Sequence, residues 1–125
     1  MGFFHNAKKQ EAISVINDTV LVDLITPSIR GAKQFSVNFD EIRIDEPLDG
    51  EHETHGKGWN FSIFLRCDRA FAKKDTMETE LTFAFAKFQK KYESKPILDR
   101  ITPPEVVVAG NEGLIIKLFL ASTSS

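Results

Sequence analysis

Residues 75–92 read DTMETELTFAFAKFQKKY, and the fold turns on whether this stretch is a helix or a strand. Leu81, Phe83 and Phe85 alternate as strand residues do. Met77, Leu81, Ala84, Phe85, Phe88 and Tyr92, by contrast, fall on one side of a helix, within an arc of roughly 100°. The longer pattern wins and predicts a helix over 76–94. Asp75 followed by Glu78 reads as a capping box. Lysines gather near the end, where they suit the helix dipole, and Pro96 follows. Phe83 then stands off the apolar stripe, which makes it a contact residue. Were 79–90 a strand, the protein would be a mostly β sandwich and its function that of a generic binding domain.

On the N-terminal side, KGWNFSIFLRCDR (57–69) sets Trp59, Phe61, Ile63, Leu65 and Cys67 against Asn60, Ser62, Arg66 and Asp68. This is the alternation of a half-buried strand, with Phe64 breaking the polar side. In KQFSVNFDEIRIDE (33–46), Phe35, Val37 and Phe39 alternate in one phase and Ile42 and Ile44 in the other. A phase switch at Asp40–Glu41 predicts a strand with a bulge. Further out, NAKKQEAISVINDTVLVDLITPSIRG (6–31) carries Ile13, Ile16, Val20 and Leu24 at helical spacing. Asn6 serves as N-cap, and Pro27 and Gly31 lie beyond the end, so the helix is expected over 7–25. "VLVDLI" within it has strand composition. On the C-terminal side, PPEVVVAGNEGLIIKLFLAS (103–122) reads as a hairpin: Val106–Val108, the turn AGNEG, then Leu114–Ala121. The expected order is α-β-β-α-β-β, an α+β domain with a mainly antiparallel sheet packed by two helices.

The chain of 125 residues fits one domain, 1–125, with a frayed tail at 122–125. An apolar fraction of 42%, a charged fraction of 27% and a net charge of −2 are ordinary for a soluble globular chain. No global basic field points to nucleic acid. No apolar run is read as transmembrane in length, and "MGFFHN" has Asn where a myristoylation pattern needs Ser or Thr. The lone Cys67 excludes an intrachain disulfide and fits a reducing, cytoplasmic compartment. Eleven Phe against one Tyr and one Trp predict rings in core or interface, since Phe has no polar handle. Phe3 and Phe4 could anchor an interface or pack back on the core.

DEPLDGEHETHGKG (45–58) is the polar stretch between two strands, and it reads as a protruding acidic hairpin loop. Asp45, Glu46, Asp49, Glu51 and Glu53 make it an arm for contacts, rooted by Trp59. His52 and His55 are the pair a divalent ion would use. Their H-x-x-H spacing is one residue short of the zincin pattern, and the glycines around it speak against a helix. No metal and no cofactor are therefore assigned. Cys67 shares a strand phase with Trp59 and Phe61, so it is expected buried and inert rather than nucleophilic. The chain has no glycine-rich phosphate loop, G-x-S-x-G or C-x-x-C, and no enzyme activity is expected. Lys87, Lys90, Lys91 and Lys95 form a basic face on and after the second helix, which is either simply solvated or set for an acidic partner. The acidic arm of a neighbouring copy would suit it, and opposite charges on two surfaces of one chain favour head-to-tail rings.

This order of elements resembles phage tail terminator and tail completion proteins. The resemblance rests on "KKQEAISVINDTVLVDLI", then "QFSVNFDEIRI" and "WNFSIFLRC" around the arm, "TMETELTFAFAKFQKKY", and "EVVVA" with "LIIKLFLA". It implies a ring of like subunits that caps a tail tube and joins it to the head or neck. Other protein subunits are then the partners, and the place is the cytoplasm or the virion, with no role for nucleic acid or membrane. The competing expectation is a small monomeric or dimeric binding module with an apolar pocket lined by Phe61, Phe64, Phe85 and Phe88.

Overall fold

The computed structural model describes the backbone of residues 2–122 and the side chains of residues 8–122. The side chains of Phe3, Phe4 and Asn6, and the tail after Ser122, lie outside the described residues.

One continuous helical stretch opens the chain. It runs through α1 (Gly2–Val15), a π-helical segment (Ile16–Ile25) and α2 (Thr26–Lys33). Sequence periodicity stops this helix at 25, but it continues through Pro27. The N–H of Thr26 bonds the Leu21 carbonyl, five residues back, and the Thr26 hydroxyl bonds the same oxygen at 2.7 Å. That is π register, and Pro27, which has no N–H, follows at the first turn of α2, where a missing donor costs least. Asn6 lies inside the helix rather than at its cap. The stripe Ala12, Ile16, Val20 and Leu24 is buried, and Ser28 and Ala32 extend it on α2.

The helix Lys8–Lys33 (26 residues) holds an 18-residue window of mean hydropathy 1.4, long and apolar enough to cross a membrane by length and composition alone. A core helix passes the same test, and this one packs its stripe into the domain's own core.

The helix ends in a Schellman motif. Val37 N–H bonds the Ala32 carbonyl at 3.1 Å and Ser36 N–H bonds Lys33 at 3.0 Å, with Ser36 in the left-handed region at φ 63°. This consumes the residues expected to start a strand. β1 is only Glu41–Ile44, not 35–44. Among the described residues no strand precedes Glu41, and β1 pairs with β3 in unbroken register from Glu41 opposite Arg66 to Ile44 opposite Ile63, so the phase change at Asp40–Glu41 is a passage from turn to strand rather than the expected bulge.

β2 (Leu48–His52) is a strand where a loop is expected. It forms a hairpin with the start of β3 (Gly56–Arg66). α3 (Ala70–Lys91) covers all of 79–90 as helix, but it starts before Asp75, which is therefore interior and not a cap. Arg69 takes the left-handed conformation at φ 47°, and Lys73 in the first turn reaches Asp68 at 2.7 Å. The run "AFAKK" of good helix formers then extends the helix backwards. A 3₁₀ turn (Pro96–Asp99) leads to β4 (Glu105–Ala109) and β5 (Gly113–Ala121), joined through Gly110 at φ 59°.

The five strands form one antiparallel sheet in the order β1-β3-β5-β4, with β2 beside the first half of β3 and β1 beside the second. This is an α+β domain. Trp59, Phe61, Ile63 and Leu65 of β3 and Leu114, Ile116, Leu118 and Leu120 of β5 face the helices and meet Met77, Leu81, Ala84 and Phe88 of α3. The residues of the other face lie outside that core cluster, although Phe64 and Phe119 among them are buried. There Phe64 lies under the Arg43 guanidinium, 4.8 Å from its ring centre, and Phe119 lies against the His52 ring at 5.5 Å.

Candidate functional site

The arm is built by backbone pairing and closed by one side chain. β2 runs in register with β3 from Leu48 opposite Asn60 to His52 opposite Gly56. Residues 53–55 make the turn, and Gly56 takes φ 79° to complete it. His52 Nδ1 accepts the N–H of Thr54 at 3.1 Å and of His55 at 3.2 Å. With Nδ1 accepting both N–H groups, Nε2 is the nitrogen left to donate. The His55 ring lies 5.0 Å from that of His52. His52 and His55 are thus brought together, but Nδ1 of His52 is committed to the turn. No group of three His, Cys, Asp or Glu among the described residues could hold a metal ion.

The acidic residues separate into those already engaged and those that are not. Asp45 takes Arg43 at 3.1 Å and Glu46 takes Lys9 at 3.1 Å. Asp49 stands opposite Trp59 in the ladder. Glu51 and Glu53 are exposed and have no ion-pair partner among the described residues. Glu51 has Lys57 opposite it across the hairpin, not joined to it in an ion pair.

The lysine face divides in the same way. Lys91 reaches back to Asp23 of the π-helical segment at 2.9 Å, beside the Tyr92 hydroxyl, which donates to the other Asp23 oxygen. Lys87 and Lys90 stay exposed, with no ion pair among the described residues. Lys87 lines a groove of about 260 Å³ between α2 and α3, with Pro27, Arg30, Gly31 and Gln34 on one wall and Glu80, Phe83 and Ala84 on the other. Phe83, placed off the stripe by its spacing, is 62% exposed. Phe35 stands next along this surface, 66% exposed, in a shallower hollow shared with Phe83, Asp75 and Glu80.

Sequence reasoning missed Phe35 because its alternation with Val37 and Phe39 mimics a strand; the Schellman turn puts Val37 in the core and Phe35 in water. It also missed Ile42 and Ile44. Both have the phase of the helix-facing side of the sheet, opposite Leu65 and Ile63, yet they sit on the edge strand and remain about half exposed (51% and 49%). Leu48, on the other side of the arm, is 68% exposed. Nothing local in the sequence distinguishes an edge strand from a central one.

Phe61, Phe64, Phe85 and Phe88 do not line one pocket. Phe61 and Phe88 are in the core, and Phe64 lies on the opposite face of the sheet. Phe85 instead borders a cleft of about 400 Å³ between α3 and the start of β4, with Leu81, Pro103, Pro104 and Val106. Cys67 is buried, and that burial pushes its thiol pKa up, so it is protonated at neutral pH.

No family model, no curated protein and no solved structure matches this chain.

Proposed function

We propose that the protein is a non-enzymatic structural subunit that assembles with other copies of itself. The finer reading is a ring-forming phage tail terminator or neck component. The observation that carries the proposal is the exposure of apolar side chains on two unlike surfaces: Ile42 and Ile44 on the edge strand β1, and Phe35 and Phe83 on the solvent side of the helices. Exposed apolar residues grouped among polar ones mark interaction surfaces. Two unlike patches on one chain suit head-to-tail contacts, which close into a ring when the rotation permits. The finer reading draws support from the element order: helix, strand, arm, long strand, helix and closing hairpin. Its partners are other protein subunits, and its place is the cytoplasm and then the virion.

Light scattering after size exclusion, across a range of concentrations, tests the proposal. A closed oligomer of fixed mass is expected. A monomer at every concentration overturns it. The cleft beside Phe85 favours a second reading, a monomeric binding module for an apolar ligand. That reading requires a monomer whose melting temperature rises with an apolar ligand and falls back with Phe85→Ser.

A further inference from the structure

We infer that the groove between α2 and α3 is the seat for the acidic arm of a second copy of this chain, with Arg30 and Lys87 receiving Glu51 and Glu53. The inference rests on the self-association proposed above and specifies its contact.

Charge complementarity carries it. Arg30 and Lys87 enter the groove from its two walls, and Lys90 stands one turn further along α3. Apart from Lys91, which Asp23 holds, these cations have no ion pair among the described residues. Glu80 is the one carboxylate in the groove; it lies over Gly31, close enough that a methyl group there would meet its carboxyl carbon at 2.8 Å. The groove therefore keeps a net positive rim above an apolar base of Pro27, Ala84 and the exposed Phe83 ring.

The arm supplies the opposite pattern. Residues 45–58 hold five carboxylates and one lysine. Arg43 and Lys9 already hold Asp45 and Glu46, so the free charge concentrates at the tip, on Glu51 and Glu53. The tip is a narrow hairpin whose inner edge pairs with β3 and whose turn N–H groups at Thr54 and His55 are held by His52, so it projects as an ordered element. Arm and groove belong to different surfaces, the sheet edge and the outside of the helices. One copy's arm in the next copy's groove is therefore a heterologous contact that leaves a free arm and a free groove at the two ends.

A charge swap tests this. One variant carries Glu51→Lys and Glu53→Lys; a second carries Arg30→Glu and Lys87→Glu; a third carries all four changes. All four side chains are exposed. Each two-site variant sets like charges against each other and is expected to raise the concentration for half-assembly about a hundredfold. The four-site variant is expected to assemble like the parent chain, and an equimolar mixture of the two-site variants to form complexes that neither forms alone. The inference fails, with self-association intact, if the parent assembles and the two-site variants assemble equally well. It also fails if both two-site variants fall apart and neither the mixture nor the four-site variant recovers. A parent chain that is monomeric throughout overturns the self-association reading and this contact with it.

Discussion

The Tyr92 hydroxyl donates to Asp23 across 69 residues of sequence, tying the end of α3 to the last turn of the π-helical segment. Lys91 Nζ takes the other carboxylate oxygen at 2.9 Å. One Asp thus collects both polar groups at the end of α3, while Phe88, one turn back, is buried in the core. Tyr92→Phe keeps the ring against Phe88, whose centre lies 4.7 Å away, and removes only the hydroxyl. The variant is expected to lose roughly 1–2 kcal/mol of unfolding free energy, the range for a hydrogen bond to a charged acceptor that water can partly replace. Urea denaturation with an unchanged m-value checks it; a loss within a few tenths of zero would mean that the bond adds nothing.

The same contact sets a pH dependence at both extremes. The Tyr92 hydrogen bond, then that of Lys91, holds the Asp23 pKa below the ordinary carboxylate value. Its contribution is present above the unfolded Asp value of about 3.9 and is lost as pH falls through the lowered folded value. The hydrogen bond to Asp23 pushes Tyr92 up to about 12. That contribution is complete below the unfolded Tyr value of about 10 and is lost as pH rises towards the folded one. Stability measured from pH 2 to 12 is expected to fall less steeply at both ends in Tyr92→Phe than in the parent chain. Parallel curves would rule the linkage out.

Ser36 holds the left-handed position of the Schellman motif at φ 63°. A Cβ in this region costs about 1 kcal/mol, and glycine carries no such cost. Ser36 is exposed, and no hydrogen bond of its hydroxyl holds it in place. Ser36→Gly is expected to stabilise the fold by about 0.5–1 kcal/mol and Ser36→Val to destabilise it by more. Thermal unfolding of the two variants decides the sign.

What the sequence makes legible here is what local periodicity carries. The alternation from Trp59 to Cys67 and the stripe from Met77 to Phe88 both mark the buried sides correctly. The helix end is not legible, because Pro27 and "VLVDLI" argue for a stop, while Ile25, Ser28 and Ala32 gain enough burial to carry the helix on. The candidate surfaces are half legible. The acidic run and Phe83 can be read directly. That Lys91 is spent on Asp23, Glu46 on Lys9, and Arg30 stands across from Lys87 depends on elements tens of residues apart.

His52 is expected to act through the arm turn and not through a metal. His52→Ala removes the acceptor for the Thr54 and His55 N–H groups. The cost should be about 1 kcal/mol, confined to the arm, since water replaces the lost acceptor at an exposed tip. Hydrogen exchange is expected to speed up at Thr54 and His55 and to stay unchanged in α3. His52→Asn, whose side-chain oxygen can accept from nearby N–H groups, should restore part of the protection. Uniform acceleration across the sheet would refute a role limited to the turn.

Gly58 fixes how closely the root of the arm approaches β5. A Cβ there would lie 2.2 Å from the Leu120 carbonyl oxygen and 2.7 Å from the Ala121 Cα. These are backbone atoms of the neighbouring strand, so no side chain can rotate away to make room. Gly58→Ala must part β3 from β5 where Ser122 N–H bonds the Lys57 carbonyl at 2.9 Å. A loss of about 1–3 kcal/mol is expected, the usual range for forcing extra volume into a closed contact. Gly31→Ala is the control, since its Cβ would meet only the flexible carboxylate end of Glu80. That variant is expected to stay within about 0.5 kcal/mol of the parent, or to gain stability from the better helix propensity of alanine. Equal losses in the two variants would show that backbone proximity at Gly58 is not what limits the arm.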